Sequence, residues 1–233
     1  MEPVAKPPLT QGRSSTRRLI KVTGKVLIFV CHLIKCKQMR VTEIEHHLGK
    51  FRVGIAGAGG LGSNCAAALA RCGIGTIVIS DFDVVEKSNL SRQYYFTDQI
   101  GMMKTAALKE NLLRIRPGIV VIALKEKLTR ENIPAIFAGC NVIVEAFDKA
   151  GMKEMLIETV QKHLPGIPLV VGSGMAGWGG NESIRTRKVD DTLYVCGDET
   201  TEASDDLPPL APRVGIVASM QANIVVEILM NKA

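Results

Sequence analysis

Two absences bound this sequence first. Its six cysteines, Cys31, Cys36, Cys65, Cys72, Cys140 and Cys196, form no Cys-x-x-Cys pair. Several sit in apolar segments, where cysteine behaves as a small buried hydrophobe. Nothing resembles the disulfide framework of a secreted domain, so a reducing cytoplasm is the expected compartment. The N-terminal part also lacks an apolar run of the roughly 20 residues that a membrane span needs. Its longest, Val26–Ile34, is interrupted by His32. Arg17 and Arg18 precede that run, but no small-residue cleavage site follows it, and Cys36-Lys37-Gln38 is a poor one.

Aromatic residues are scarce at 4%, and no internal repeat is visible. What is present is 46% hydrophobic residues and 22 glycines in 233 positions. That balance excludes a disordered or fibrous chain and suits one large α/β domain with tight glycine turns. The net charge of +6 is unevenly placed. Residues 1–40 carry nine Lys/Arg and one acid, whereas the remainder is net −2. The body therefore has no electrostatic footprint for nucleic acid. Residues 1–40 read as a basic, poorly ordered extension and 41–233 as the folded domain.

After residue 50 the pattern alternates. Apolar, β-branched runs at Phe51–Ala56, Thr76–Ser80, Ile119–Leu124, Val142–Ala146 and Leu169–Gly172 read as strands. Leu61–Cys72, Lys104–Ile115, a segment from Thr129 to Phe137 with Thr129 as N-cap, Gly151–His163 and Val214–Met230 read as helices. This order implies a Rossmann-like fold: a mostly parallel sheet with helices on both faces. Residues 174–212 show no clear period and read as a functional loop or crossover.

Gly57-Ala58-Gly59-Gly60-Leu61-Gly62 follows the first strand and opens a helix. Glycines there let the backbone turn sharply and approach a phosphate, which a helix N-terminus favours electrostatically. Asp81 ends the second strand, where an acid can accept ribose hydroxyls. Alone, this implies only an adenine nucleotide: NAD, FAD or ATP.

The stretch Asp81-Phe82-Asp83-Val84-Val85-Glu86-Lys87-Ser88-Asn89-Leu90-Ser91-Arg92-Gln93 resembles the nucleotide-binding segment of the ThiF/MoeB/E1 family, which activates ubiquitin-like proteins. Ala211-Pro212-Arg213-Val214-Gly215 and Met220-Gln221-Ala222 resemble its last loop and helix, and the likeness covers roughly residues 41–231. Tyr94-Tyr95-Phe96 and the context from Met39 to Gly62 most resemble the short form of the thiamine branch. The resemblance implies ATP-dependent adenylylation of a ThiS-like sulfur carrier ending in Gly-Gly, by a homodimer without nucleic-acid or membrane partners. It implies that Gly57, Gly59, Gly60, Gly62, Asp81, Asp83, Asn89, Arg92, Gln93 and Lys104 bind the nucleotide. It makes Arg92, Lys104 and Asp148 catalytic, with Asp148 holding Mg²⁺.

The chemistry suits these residue types. A carboxylate must attack the α-phosphorus of ATP, and both reactants are anionic. Arg92 can hold phosphate oxygens, Lys104 can offset transition-state charge, and a magnesium ion at Asp148 can screen the phosphates. Asn89 can bind phosphate or ribose without adding charge. No general base is needed, because the attacking carboxylate is ionised at pH 7. Each residue has a plainer alternative: Lys104 as a solvated helix residue, Arg92 paired with Asp83 or Asp98, Asp148 as a helix cap.

The sequence also departs from the family. Many relatives bind zinc through two Cys-x-x-Cys pairs; here none exists, and Cys31, His32 and Cys36 form no complete set, so no zinc is expected. Lys149 stands where an asparagine often follows the magnesium aspartate. No residue in 1–50 matches the family's trans-acting arginine segment. Cys196 lies where some relatives use a cysteine for thioester or persulfide chemistry, with Arg185, Arg187 and Lys188 in the same loop. A structural cysteine is the alternative. The other functional readings are activation of the molybdopterin carrier, a tRNA-linked dehydratase, an NAD-dependent dehydrogenase and a non-catalytic nucleotide-binding scaffold.

Overall fold

The computed structural model describes residues 19–22, 25–28 and 39–232. The chain divides into units of residues 1–39 and 40–233. In the first, strands β1 (Leu19–Val22) and β2 (Lys25–Ile28) pair antiparallel, with Leu19 opposite Ile28. Neither strand was expected from sequence, and the expectation of poor order otherwise falls outside the described residues.

The second unit begins with helix α1 (Val41–Leu48), then strand β3 (Arg52–Ala56), helix α2 (Gly60–Cys72) and strand β4 (Thr76–Ser80). Helix α3 (Lys104–Ile115), strand β5 (Val120–Leu124), a single-turn helix α4 (Ile133–Ile136) and strand β6 (Val142–Glu145) follow. Helix α5 (Ala150–His163) and strand β7 (Leu169–Gly172) precede strands β8 (Arg185–Lys188) and β9 (Leu193–Gly197), and helix α6 (Ala211–Met230) ends the order. The sheet runs β5-β4-β3-β6-β7-β9-β8, parallel throughout except for β8.

Period-two alternation along the strands sorts the core into two layers. Val53, Ile55, Ile77, Ile79, Val142 and Val144 pack with residues of α2, α3 and α6 on one face. Ala56, Val78, Ile143, Leu169 and Val171 pack with residues of α4 and α5 on the other. Burial of each large aliphatic side chain stabilises the fold by about 1.5–3 kcal/mol. Helix α2 is alanine-rich, and Gly73 at φ 101° closes it, with its successor Ile74 donating to the Leu69 carbonyl. Helix α6 has the length and mean hydropathy, 1.4, of a membrane span, but half of that window is buried, and it packs on α2 and the sheet.

Two expectations need correction. Thr129 is not a helix N-cap. Its amide donates to Asn132 Oδ1 at 2.8 Å, and the helix shrinks to four residues because Pro134 follows so closely. Residues 174–212 are not all irregular, because they contain β8 and β9. Strand β8 is exposed along its whole length, so no apolar period marks it.

Because residues 40–233 carry these two layers themselves, removing residues 1–38 is expected to leave folding and ATP binding intact. Thermal melting and calorimetry check this; an insoluble or non-binding truncation contradicts it.

Candidate nucleotide-binding site

The strand order reverses between β3 and β6, which opens a crevice at their C-terminal ends. The glycine loop fills one wall of it. Gly57 adopts φ 102°, a left-handed conformation that side chains resist. A Cβ on Gly62 would stand 1.9 Å from the Gly57 carbonyl oxygen, so α2 can begin this close to β3 only with glycine there. Gly59 occupies the N-cap position and supplies no side-chain cap. The first amides of α2 therefore face outward as anion donors.

Asp81 braces that loop. Its Oδ2 accepts the Ala58 amide at 2.7 Å and its Oδ1 accepts the Asp83 amide at 2.8 Å. Burial pushes its carboxyl up, against these two hydrogen bonds and the neighbouring Lys104 charge. Each oxygen keeps a lone pair for a ribose hydroxyl. Tyr95 joins loop to lysine: its hydroxyl lies 2.7 Å from the Ala58 carbonyl and 3.3 Å from that of Lys104.

Lys104 is not a solvated helix residue. Its side chain is only 9% exposed and its Nζ lies 2.9 Å from Asp83 Oδ2. It sits in the first turn of α3, where the helix dipole disfavours a cation. Asp83 offsets that cost, and the backbone holds the two together through the Lys104 amide on the Asp83 carbonyl at 2.9 Å.

Residues Lys87–Ser91 form a short 3-10 turn that folds over the start of α2. Asn64 ties the two, with Nδ2 donating to the carbonyls of Gly60 at 2.7 Å and Arg92 at 2.9 Å. The Arg92 side chain thereby lies over Gly60 and that of Gln93 over Gly59. Arg92 pairs with neither Asp83 nor Asp98; its guanidinium contacts the Ser88 carbonyl and Ser91 hydroxyl. Gln93 Oε1 is buried without a hydrogen-bond partner among the described residues. Asn89 accepts the Glu86 amide at 3.0 Å and is mostly buried, so in this state it shapes the turn.

Asp148 lies beyond β6, exposed, and does not cap α5, whose N-cap is Lys149 without a side-chain bond. Among the described residues no three His, Cys, Asp or Glu side chains gather into a metal cage. A lone carboxylate suits Mg²⁺, which keeps several waters and takes its other ligands from nucleotide phosphates. The donor set therefore fits the expected ion. It offers no four-ligand zinc centre among the described residues, and Cys31, His32 and Cys36 lie outside them.

Cys196 is fully buried on β9, 3.7 Å from the Thr186 hydroxyl. Burial pushes its thiol up to about 11, although the Thr186 bond pulls the other way. The three cations expected beside it are engaged elsewhere: Arg185 with the Glu182 carbonyl, Arg187 with Glu199 and Lys188 with Asp191. This is the environment of a core thiol.

Sequence reasoning missed an anchor of the crossover. Arg213, in the first turn of α6, is an ion-pair partner of Asp198; their side chains are 5% and 2% exposed. It also donates to the Gly179 carbonyl. In the sequence Arg213 stands out only within Ala211-Pro212-Arg213-Val214-Gly215, since nothing there links it to Asp198.

An open helix N-terminus at the switch point of a doubly wound sheet, with an acid at the next strand end, defines a nucleotide-binding α/β protein. Residues 34–233 match the ThiF family, and the chain belongs to it. It is 26% identical to the molybdopterin-synthase adenylyltransferase of Salmonella typhimurium over 80% of this chain and 76% of that protein. It is 29% identical to the sulfur carrier protein ThiS adenylyltransferase of Escherichia coli, over 75% of this chain and 70% of that one. Of several longer relatives it spans less than half the length. The fold matches the tRNA N6-threonylcarbamoyladenosine dehydratase of E. coli, solved with ATP, at TM-score 0.73 and 20% identity, covering 81% of this chain and 89% of that one.

Proposed function

We propose that this chain uses ATP and Mg²⁺ to adenylylate the C-terminal glycine carboxylate of a small ThiS-like sulfur carrier ending in Gly-Gly, in thiamine biosynthesis. The observation that carries this reading is Arg92 lying over Gly60 at the uncapped N-terminus of α2, with the enclosed Lys104 paired to Asp83 and tied through Tyr95 to the same glycine loop. A carrier carboxylate oxygen attacks the α-phosphorus, the bond to the bridging oxygen breaks, and pyrophosphate leaves with the electron pair. The amides of α2 and the Arg92 guanidinium hold phosphate oxygens. Lys104, released from Asp83 or shared with it, offsets the charge that grows on the phosphorane oxygens. Asp148 would hold Mg²⁺, which screens the phosphates.

The same reading makes the protein a cytoplasmic homodimer, for which sedimentation at micromolar concentration is the check. An NAD-dependent dehydrogenase leaves Arg92, Lys104 and Asp148 without work, as does a nucleotide-binding scaffold. A tRNA substrate conflicts with the net −2 charge of residues 41–233. The molybdopterin carrier is the nearest rival, because the identities to the two named enzymes differ little. Pyrophosphate exchange with each carrier in turn separates them.

Calorimetry is expected to show binding of Mg²⁺-ATP and none of use with NAD. Tight NAD binding with no ATP binding would sink the adenylylation reading.

A further inference from the structure

Beside Asp148 lies a buried ion pair that the reaction does not use. Glu145 ends β6 and is fully buried. Lys153, in the first turn of α5, places Nζ 2.9 Å from each of its carboxylate oxygens and 2.9 Å from the Gly172 carbonyl. Glu145 Oε1 also accepts the Phe147 amide at 2.6 Å, and Oε2 accepts the Gly172 amide at 3.3 Å. On the other side of the strand end, Gln221 of α6 donates to the Glu145 carbonyl at 2.8 Å. One carboxylate thus joins the ends of β6 and β7 to the start of α5.

A buried pair of this kind is weak evidence for stability, since an apolar pair of similar volume often serves as well. Its placement is informative instead. The Phe147 amide that Glu145 holds is one residue from Asp148, and the Phe147 ring lies 3.5 Å from where a Cβ on Gly57 would stand. Asp148 itself is exposed and forms no ion pair among the described residues. Its direction is therefore set by the turn it sits on.

We propose that the Glu145–Lys153 pair positions Asp148 for its metal ion, by fixing the Phe147 peptide against the glycine loop; this rests on the metal role assigned to Asp148 above. Both are positioning residues and touch no reactant. Groups that orient a metal ligand typically matter by 10- to 100-fold in metal affinity.

The test measures Mn²⁺ binding, with ATP present, by electron paramagnetic resonance on the full chain. Glu145→Met/Lys153→Met removes both charges and the acceptor for the Phe147 amide while keeping volume. It is expected to weaken Mn²⁺ binding about 10-fold, with affinity for metal-free ATP within about twofold. Glu145→Gln/Lys153→Met restores an acceptor and is expected to recover most of the loss. Mn²⁺ affinity within twofold in the double-methionine variant overturns the proposal, whatever its melting temperature. If that variant does not fold, Lys153→Gln, which leaves Glu145 without the cation that fixes its carboxylate, is expected to lose about 10-fold; an unchanged affinity there overturns the proposal as well. Failure of the unaltered protein to take up Mn²⁺ with ATP would overturn the adenylylation reading itself, and this proposal with it.

Discussion

Lys104→Ala is expected to lower carrier-dependent ATP–pyrophosphate exchange by about 10²–10³, roughly 3–4 kcal/mol, and Arg92→Ala by a similar factor. Lys104 is enclosed, so water cannot substitute for it when charge grows on the phosphorane. Removing it leaves Asp83 unpaired, but that side chain is 51% exposed and solvent screens it. Folding is therefore expected to survive, and the loss to appear in turnover rather than in melting temperature. Asp148→Ala lowers turnover too, and moves its Mg²⁺ dependence. Cys196→Ser is the contrast: a buried thiol held near 11 is not a reactant in adenylation, so exchange stays nearly unchanged. The assay uses a carrier ending in Gly-Gly, ATP and labelled pyrophosphate. Exchange that survives Lys104→Ala and Arg92→Ala but collapses in Cys196→Ser would reverse these roles.

The parts of this site that were legible in sequence are those whose chemistry is local. The glycine loop is read from its own six residues, because Gly57 needs a positive φ and Gly62 needs bare space. Strands β4, β6 and β7 are read because they are buried almost throughout and therefore mostly apolar. Strand β8 was missed for the opposite reason: as a charged edge strand it buries neither face. Strand β9 was missed with it, since its partner β7 lies some twenty residues upstream and the intervening charges hide the pairing. The Lys104–Asp83 pair and the Asn64 tie depend on how the Lys87–Ser91 turn folds back, which no periodicity encodes. Arg185, Arg187 and Lys188 share the crossover with Cys196 but lie on the neighbouring strand β8, where Arg185 and Arg187 flank its cross-strand partner Thr186 and so face the other way, while Lys188 pairs with Asp191; their presence says little about the thiol.

Arg213→Met is expected to destabilise the fold by about 3–5 kcal/mol, because it strands a buried carboxylate. The Asp198 side chain is 2% exposed and already accepts the amides of Thr200 and Thr201 and both of their hydroxyls. Three of those bonds fall on Oδ1 and one on Oδ2, and none brings a countercharge, which Arg213 on Oδ2 alone supplies within ion-pair distance among the described residues. Burial by itself would push the Asp198 carboxyl up; the hydrogen bonds from Thr201 and Thr200 outweigh it and hold it below the usual value. A depressed carboxyl stabilises the folded state fully above its unfolded pKa of about 3.9 and loses that contribution as the pH falls through its folded value. The crossover is therefore expected to loosen in acid, below about pH 4. The double variant Arg213→Met/Asp198→Asn tests the assignment, since an asparagine carbonyl oxygen can still accept the threonine amides without carrying charge. It is expected to be more stable than Arg213→Met alone, measured as the urea midpoint of unfolding at pH 7. Should Arg213→Met cost less than about 1 kcal/mol, or should the double variant be the worse of the two, the pair does not anchor the crossover to α6.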